Sequence, residues 1–413
     1  MTHAGAKLTP VWGIGFVLAY QTAIVGMGQT APVLAPVAAA EIGVDAANVG
    51  YFTAIVFGTA LFSSNGVAGL MARLGSFVGS AASLLTAALG VLCVAFAESV
   101  WMIVLGAMLI GVGYGPVNPL GSRVLMRVAP AGRRNLIFSI KQSSVSIGGA
   151  VAGVVLPALA LGFGWRAAVA ATGVFALIVV GFAFPTRAAV GDDAEAGASI
   201  RFIGPLKVAA AVIAEAELRS VAAAAFSFSM MQFGFMSIYV TLLWGWLDIA
   251  PAVAAAMLSV SLIASIAGRI FWGWRADGGN PPLILLGLAW CGAVSLMLML
   301  LMSPEWPLFA TTLFSAALGF GAMSWSGVLL SEVARIGAAR KDPAGTLRAT
   351  AGTMVFAYLG GLLGPAMLSL SAALFGGYSA GVVAIAACMA ATGIALAPNA
   401  RKTSEMLEAR DDG

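Results

Sequence analysis

The sequence predicts an all-α membrane protein, with twelve transmembrane helices in two pseudo-symmetric six-helix bundles. Three observations predict it: the composition, twelve long apolar runs, and a one-sided distribution of Lys and Arg. The 413 residues are 61% hydrophobic and only 9% charged, against about 25% charged in an ordinary soluble domain. Mean hydropathy is +0.99. So few charges cannot cover a water-soluble globule. The composition therefore excludes extracellular disulfide scaffolds, disordered tails, nucleic-acid modules and most soluble enzymes. The net charge of +4 is not a nucleic-acid signal, because the basic residues are scattered between apolar runs.

A helix needs about 20 apolar residues to cross ~30 Å of hydrocarbon. Runs of this length fall at 10–37, 48–71, 77–97, 100–126, 135–161, 166–185, 219–247, 252–274, 282–303, 306–330, 349–373 and 376–398. They are too long for barrel strands, and lipid demands a backbone satisfied within each segment, so helix is the state expected. The first run is too long for a secretory leader, whose apolar core is about 7–15 residues. It also holds Gln21 and Gln29, with only Lys7 ahead of it, and is read as a retained span 1.

Orientation follows from the positive-inside rule. With the N-terminus inside, only Arg166 falls in an outer loop. Lys141 and Arg269 fall within spans, and every other Lys and Arg falls on the inner side. The outer loops hold Glu41, Asp45, Glu98, Asp248 and Glu305. One missed span would scramble this partition. Both termini are therefore expected in the cytoplasm, and the protein in the cell inner membrane.

The longest hydrophilic break lies at 186–218 and divides the chain into a bundle at 1–185, a cytoplasmic linker, a bundle at 219–400 and a tail at 401–413. Two six-span halves around a linker outline a transporter built from repeats. Residues 200–213 fit an interfacial helix or a plain tether equally well.

The two halves carry corresponding loops. After span 8 stands Gly273-Trp274-Arg275-Ala276-Asp277-Gly278, and after span 2 stands Ala68-Gly69-Leu70-Met71-Ala72-Arg73-Leu74-Gly75. In span 5, Gly149, Gly153 and Pro157 recur at four-residue spacing; span 11 has Gly360, Gly361, Gly364 and Pro365. The loops resemble the signature loop of the major facilitator superfamily, and span 5 resembles its Gly/Pro-rich helix. The first loop has Ala72 where the family usually has Asp, so that copy is degenerate. The resemblance covers the whole chain and is specific for superfamily, not for substrate. It implies transport by rocking of two bundles around a central site, that is, alternating access. Asp277, Arg275, Gly273, Arg73 and Gly75 then read as a gate on the cytoplasmic side, with Gly149, Gly153 and Pro157 letting helices slide. Gly273 suits a close helix crossing. A solvated loop that only marks topology is the alternative.

Ionisable residues inside a span are costly and point to function. Lys141 lies seven residues past Arg134, ~10 Å deeper along the helix. Gln142, Ser143, Ser144 and Ser146 follow it, which suggests a wet surface; a lysine that snorkels to the interface is the other reading. Arg269 lies eight residues before Asp277 in span 8. The spacing Arg269-x3-Gly273-x3-Asp277 resembles that of superfamily carriers for monocarboxylates, oxalate and nitrate, which implies that Arg269 binds an anion. A structural Arg is the alternative. Ser64 stands at the equivalent place in span 2, so a second Arg typical of nitrate carriers is missing. Gln21, Gln29, Asn118, Gln232, Tyr239, Ser324, Ser326, Trp325 and Tyr358 are candidates to complete the site, each also able to serve as a helix–helix contact.

Two cations favour a small anionic substrate, gripped by a guanidinium fork and an ammonium point charge. None of the 17 acidic residues lies mid-span; Glu332, three before Arg335, reads as a rim ion pair. That leaves facilitated transport, anion exchange, or cotransport with a proton brought by the anion. Efflux of amphipathic drugs is a second reading, weakened because cation exporters use a buried carboxylate. A non-transporting sensor or assembly factor is a third, with little loop surface for docking. The chain has no Walker loop, no catalytic motif and no implied cofactor, so an enzyme is not expected. Gly111-Val112-Gly113-Tyr114-Gly115 lies within span 4, beside Pro116 and Pro119, and reads as a packing or bending site. Cys93, Cys291 and Cys388 lie in apolar runs and read as filler. His3 is the sole histidine, which excludes a His metal site. The expected partners are the substrate and the lipid bilayer, without nucleic acid, and the expected state is a monomer.

Overall fold

The structure is a computed structural model, and it describes residues 10–66, 68–128, 134–187, 194, 204–277, 279–339 and 343–411. All regular structure among them is helical. Twelve segments are long and apolar enough to cross a bilayer. In chain order they are span 1 (Val11–Ile42), span 2 (Ala46–Ser64), span 3 (Arg73–Ala95), span 4 (Val100–Leu125), span 5 (Ile140–Phe163) and span 6 (Trp165–Ala183). Then follow span 7 (Leu218–Leu247), span 8 (Pro251–Ala276), span 9 (Pro281–Met299), span 10 (Leu308–Val333), span 11 (Gly352–Phe375) and span 12 (Ser379–Glu408). The protein is a multi-pass membrane protein.

Local chemistry sets the helix ends. Gly43 adopts φ 76 and closes span 1 by donating its N–H to the Ala39 and Ala40 carbonyls, the left-handed cap that glycine takes without a Cβ penalty. The Asp45 side chain then accepts from the Ala47 N–H at 2.8 Å and starts span 2. Asn280 caps span 9 through the Leu283 N–H at 3.0 Å, with Pro281 in the first turn, where its missing N–H costs nothing.

The chain divides into two compact units. One takes Met1–Val44 and Ile55–Pro205; the other takes Asp45–Ala54 and Leu206–Gly413. The start of span 2 thus belongs with the second unit. Its hydrogen bonds explain this. The Gly50 N–H donates to Ser369 Oγ at 2.9 Å, Ser369 Oγ donates to the Ala47 carbonyl at 2.7 Å, and Thr53 shares a 2.9 Å bond with Ser237.

Within each unit, glycines let backbones touch. Gly148 of span 5 leaves no room for a Cβ against the Thr22 carbonyl of span 1. Gly360 and Gly364 of span 11 do the same against Phe226 and Met230 of span 7. These are corresponding helix pairs in the two halves. Small residues there allow the close packing that substitutes for a hydrophobic driving force in lipid.

Two segments outside the spans are more ordered than their composition suggests. Pro205–Ala214 is a helix. Ala209 and Val212 are buried on one side of it, and Val212 fills the space over Gly352. The last helix runs to Asp411, so residues 401–411 continue the helix of span 12. Asn280 holds that continuation by donating to the Ala400 carbonyl at 2.7 Å and to Ser404 Oγ at 2.9 Å.

Candidate functional site

The fourth span of each half is broken, and a buried cation sits at each break. In the first unit, span 4 is two helices, Val100–Tyr114 and Val117–Val128. Pro116 cannot donate to the carbonyl one turn back, so a break is expected here. Glycines let neighbours close over it: a Cβ on Gly111 would collide with Thr59 and one on Gly115 with Ser63, both of span 2. Ser63 Oγ donates to the Gly111 carbonyl at 3.3 Å. Ser83 of span 3 donates to the Gly113 carbonyl, and Tyr20 of span 1 donates to Ser83 at 2.8 Å.

Asn118 follows immediately, and Lys141 of span 5 donates to its Oδ1 at 2.7 Å. Lys141 is 3% exposed. It does not snorkel outward: its Cε lies 3.1 Å from the Cβ position of Gly121, deep between spans 1, 4 and 5. Among the described residues no carboxylate pairs with it. Gln21, Gln29 and Ser144 are buried in the same unit. The Gln21 and Gln29 carbonyl oxygens and the Ser144 hydroxyl make no hydrogen bond. Gln29 occupies the interruption between Pro10–Gly28 and Thr30–Ile42. Gln142 is half-buried.

In the second unit, span 10 breaks without proline. Leu308–Phe320 ends at Gly321, with φ −80 and ψ −91; a short 3₁₀ turn at Ala322–Ser324 follows, and helix resumes at Trp325. Span 8 supplies donors to the loosened backbone. Trp272 Nε1 donates to the Phe320 carbonyl at 3.1 Å, and Arg269 Nη2 donates to the Met323 carbonyl at 3.4 Å. Arg269 is 2% exposed. Ser324 Oγ bonds the Gly319 and Ser265 carbonyls at 3.1 and 3.2 Å.

Close packing at this crossing comes from Gly268, whose Cβ would strike Ser324 and the Phe320 carbonyl. Here the sequence reading is corrected. Gly273 makes no close crossing, because a Cβ there would meet nothing within 4 Å. The tight position lies one residue before Arg269.

The other candidates of the second unit mainly hold helices together. Trp325 Nε1 donates to Gln232 Oε1 at 2.8 Å and its ring stacks on Phe228 at 5.7 Å. Tyr239 bonds Ser315 at 2.5 Å and stacks on Phe235 at 4.0 Å. Tyr358 and Ser326 are buried. Glu332 is an ion-pair partner as read, with two 2.7 Å bonds from Arg335, but it is 1% exposed and so is not a solvated rim group.

The loop candidates divide. Gly75 breaks the helix from Ala68 to Ala95 at φ 76, and Arg73 and Arg275 are exposed. The Asp277 side chain and Gly278 lie outside the described residues. Gly149 and Gly153 are buried and Pro157 is half-buried in span 5. Among the described residues no cluster of His, Cys, Asp or Glu could hold a metal ion.

The family model described as Major Facilitator Superfamily matches residues 11–365. The chain belongs to the major facilitator superfamily. This major facilitator is a membrane transporter, not an enzyme. Its fold matches that of a POT family transporter solved with a thioalcohol-conjugated peptide, at TM-score 0.74 and 11% identity over 95% of this chain and 96% of that one. It also matches a POT family transporter solved with 5-aminolevulinic acid, at TM-score 0.72 and 10% identity over 95% and 96%. A third match is a peptide transporter POT solved with sulfate, at TM-score 0.70 and 15% identity over 94% of each chain. At these identities the likeness is one of fold. No curated protein matches the sequence.

Sequence reasoning missed the paired breaks as site markers. The signal was present in this facilitator's Gly115-Pro116, and in Gly321 at the corresponding place in the other half. Interrupted helices at corresponding positions of two repeats are where transporters expose backbone polar groups to a ligand.

Proposed function

We propose that the protein moves a small anion by alternating access, with Lys141 and Arg269 as the cations that bind it. The observation that carries this reading is the placement of one buried cation in each unit beside the broken fourth span of its own half. A buried charge without compensation is costly, and its retention in a span marks a binding or transport path. Among the described residues Lys141 has only the neutral Asn118 as its hydrogen-bond partner, so a negative guest completes its charge balance. Arg269 donates to the Met323 carbonyl, and a guanidinium is the side chain whose geometry suits a carboxylate or phosphate fork. Gln21, Gln29 and Asn118 supply neutral polar contacts in the first unit, and Ser324, Gln232, Trp325, Tyr239 and Tyr358 shape the second.

The inner membrane, with both termini on the cytoplasmic side, is the setting proposed from the Lys and Arg partition. Residues 1–185 and 219–400 are the two moving halves, with monomeric action and no cofactor. Asp277, Arg275 and Arg73 form the cytoplasmic gate.

Uptake into proteoliposomes tests the reading. Carboxylates and inorganic anions are screened with the purified protein, and the responding anion is then tested with Lys141→Met and Arg269→Ala. Loss of uptake in both variants, with normal insertion and monodisperse purification, supports the assignment. Full uptake by both would remove the anion site.

A further inference from the structure

Spans 1 and 5 run side by side in a register that several contacts fix. Gly148 packs against Thr22 and Val25, its Cβ position lying 2.8 Å from the Thr22 carbonyl and 2.9 Å from Val25 Cβ. Toward the other end, the Cβ position of Gly121 lies 3.0 Å from Val17 Cγ1 and 3.1 Å from Lys141 Cε. Val17 is thus level with Lys141, and Val25 with Gly148. On span 1 the row Val17, Gln21, Val25 advances by one turn per step; on span 5 the row Lys141, Ser144, Gly148 does so too. Gln21 therefore stands opposite Ser144, one turn, or ~5 Å, along the helices from the ammonium.

Both groups are buried and unused. Gln21 is 2% exposed and Ser144 fully buried; the Gln21 carbonyl oxygen and the Ser144 hydroxyl have no hydrogen-bond partner. Several other hydroxyls of this unit are occupied, although Ser80 Oγ is also left without a partner. Thr59 and Thr86 bond the carbonyl one turn back at 2.9 and 2.8 Å, and Tyr20 and Ser83 form a chain to Gly113. Polar groups left unpaired in a buried site are an exception that calls for a specific cause. On this register, one open acceptor and one open donor lie on neighbouring helices within about a turn of a buried cation.

We infer that the anion is a 2-hydroxycarboxylate, its carboxylate on Lys141 and its hydroxyl donating to Gln21 and accepting from Ser144. The carbon bearing the hydroxyl adjoins the carboxylate, which suits the single helical turn between the cation and the polar pair. A 2-amino acid fits less well. Its ammonium would bring a second positive charge beside Lys141, and spans 4 and 5 contain no Asp or Glu to offset it. An acid lacking the hydroxyl would leave Gln21 and Ser144 unpaired in the loaded state. This inference rests on the anion reading and narrows it.

The test is binding of matched acids to the purified full-length protein by titration calorimetry: lactate against propionate, and glycolate against acetate. The wild type is expected to favour each hydroxy acid by about tenfold or more, since a site built around a hydroxyl rejects the analogue lacking it. Gln21→Leu and Ser144→Ala are each expected to bring the two acids of a pair within about twofold, through loss of affinity for the hydroxy acid alone. Lys141→Met is expected to lose both acids. Equal wild-type affinities, or a hydroxyl preference that survives both Gln21→Leu and Ser144→Ala, would overturn the inference. Binding of nitrate or phosphate with no carboxylate bound overturns it and leaves the anion reading standing; no anion bound at all removes both. Ser144→Ala deletes a single atom and remains informative should Gln21→Leu fail to fold.

Discussion

Lys141 donates to Asn118 across 2.7 Å, and Asn118 is the second residue of the helix that restarts after Pro116. A break in span 4 thus presents the hydrogen-bond partner of the buried Lys141. The partner is neutral, so the ammonium is held in place without being neutralised. In the second unit, Arg269 donates to the Met323 carbonyl beside the break in span 10. A purely structural cation would be expected to meet a carboxylate, as Arg335 does at Glu332.

This separates stability from activity at Lys141. Replacing a buried charge by an apolar side chain of similar length is often neutral or stabilising. Lys141→Met is expected to keep or raise the melting temperature in detergent while uptake falls about tenfold to a hundredfold, the range of one lost charge-assisted hydrogen bond. A fall in both together would mark Lys141 as a packing residue.

Arg269 combines a cationic head with a backbone contact. Arg269→Lys retains the charge but loses the planar fork. Uptake is expected to fall more than stability, whereas Arg269→Ala lowers both, because the Met323 carbonyl also loses its donor. Parallel thermal melts and uptake rates measure the difference.

Gly268 and Gly273 give opposite outcomes for the same substitution. Gly268→Ala forces a methyl group into the Phe320 backbone and is expected to cost about 1–3 kcal/mol. Gly273→Ala has open space and gains helix propensity of about 0.5–1 kcal/mol. Melting temperatures of the two variants should move in opposite directions.

At the end of span 1, Glu41 accepts from both Trp165 and Arg166. The ion pair is half exposed, with side chains 41% and 52% accessible, and solvent screening leaves such a pair contributing little. The Trp165 ring is buried, so its orphaned N–H matters more, about 1–3 kcal/mol. Glu41→Ala is expected to destabilise, and Trp165→Phe to abolish most of the further effect of Glu41→Ala in a double-mutant cycle.

Much of the fold was legible because its signals are local. Apolar run length, capping residues and the partition of Lys and Arg depend on the chain and the bilayer, not on neighbouring helices. The Gly360 and Gly364 pair could likewise be read as a packing stripe. Gly273 could not be told from Gly268, since both sit in the same helix and only the rotation of span 8 against span 10 decides which one meets backbone. Glu332 read as a rim residue by its distance from the span end, whereas burial depends on what covers it.

The sequence by itself determined twelve apolar helices, two halves, and two cations placed where lipid makes charge expensive. Only the tertiary structure decided what those cations touch, that spans 4 and 10 are both interrupted there, and that the buried Gln21 carbonyl oxygen and Ser144 hydroxyl are left without partners. Hydropathy and charge act residue by residue, so they can be summed along a chain. A hydrogen-bond partner is fixed by the register and rotation of two helices distant in sequence, and that is settled by packing.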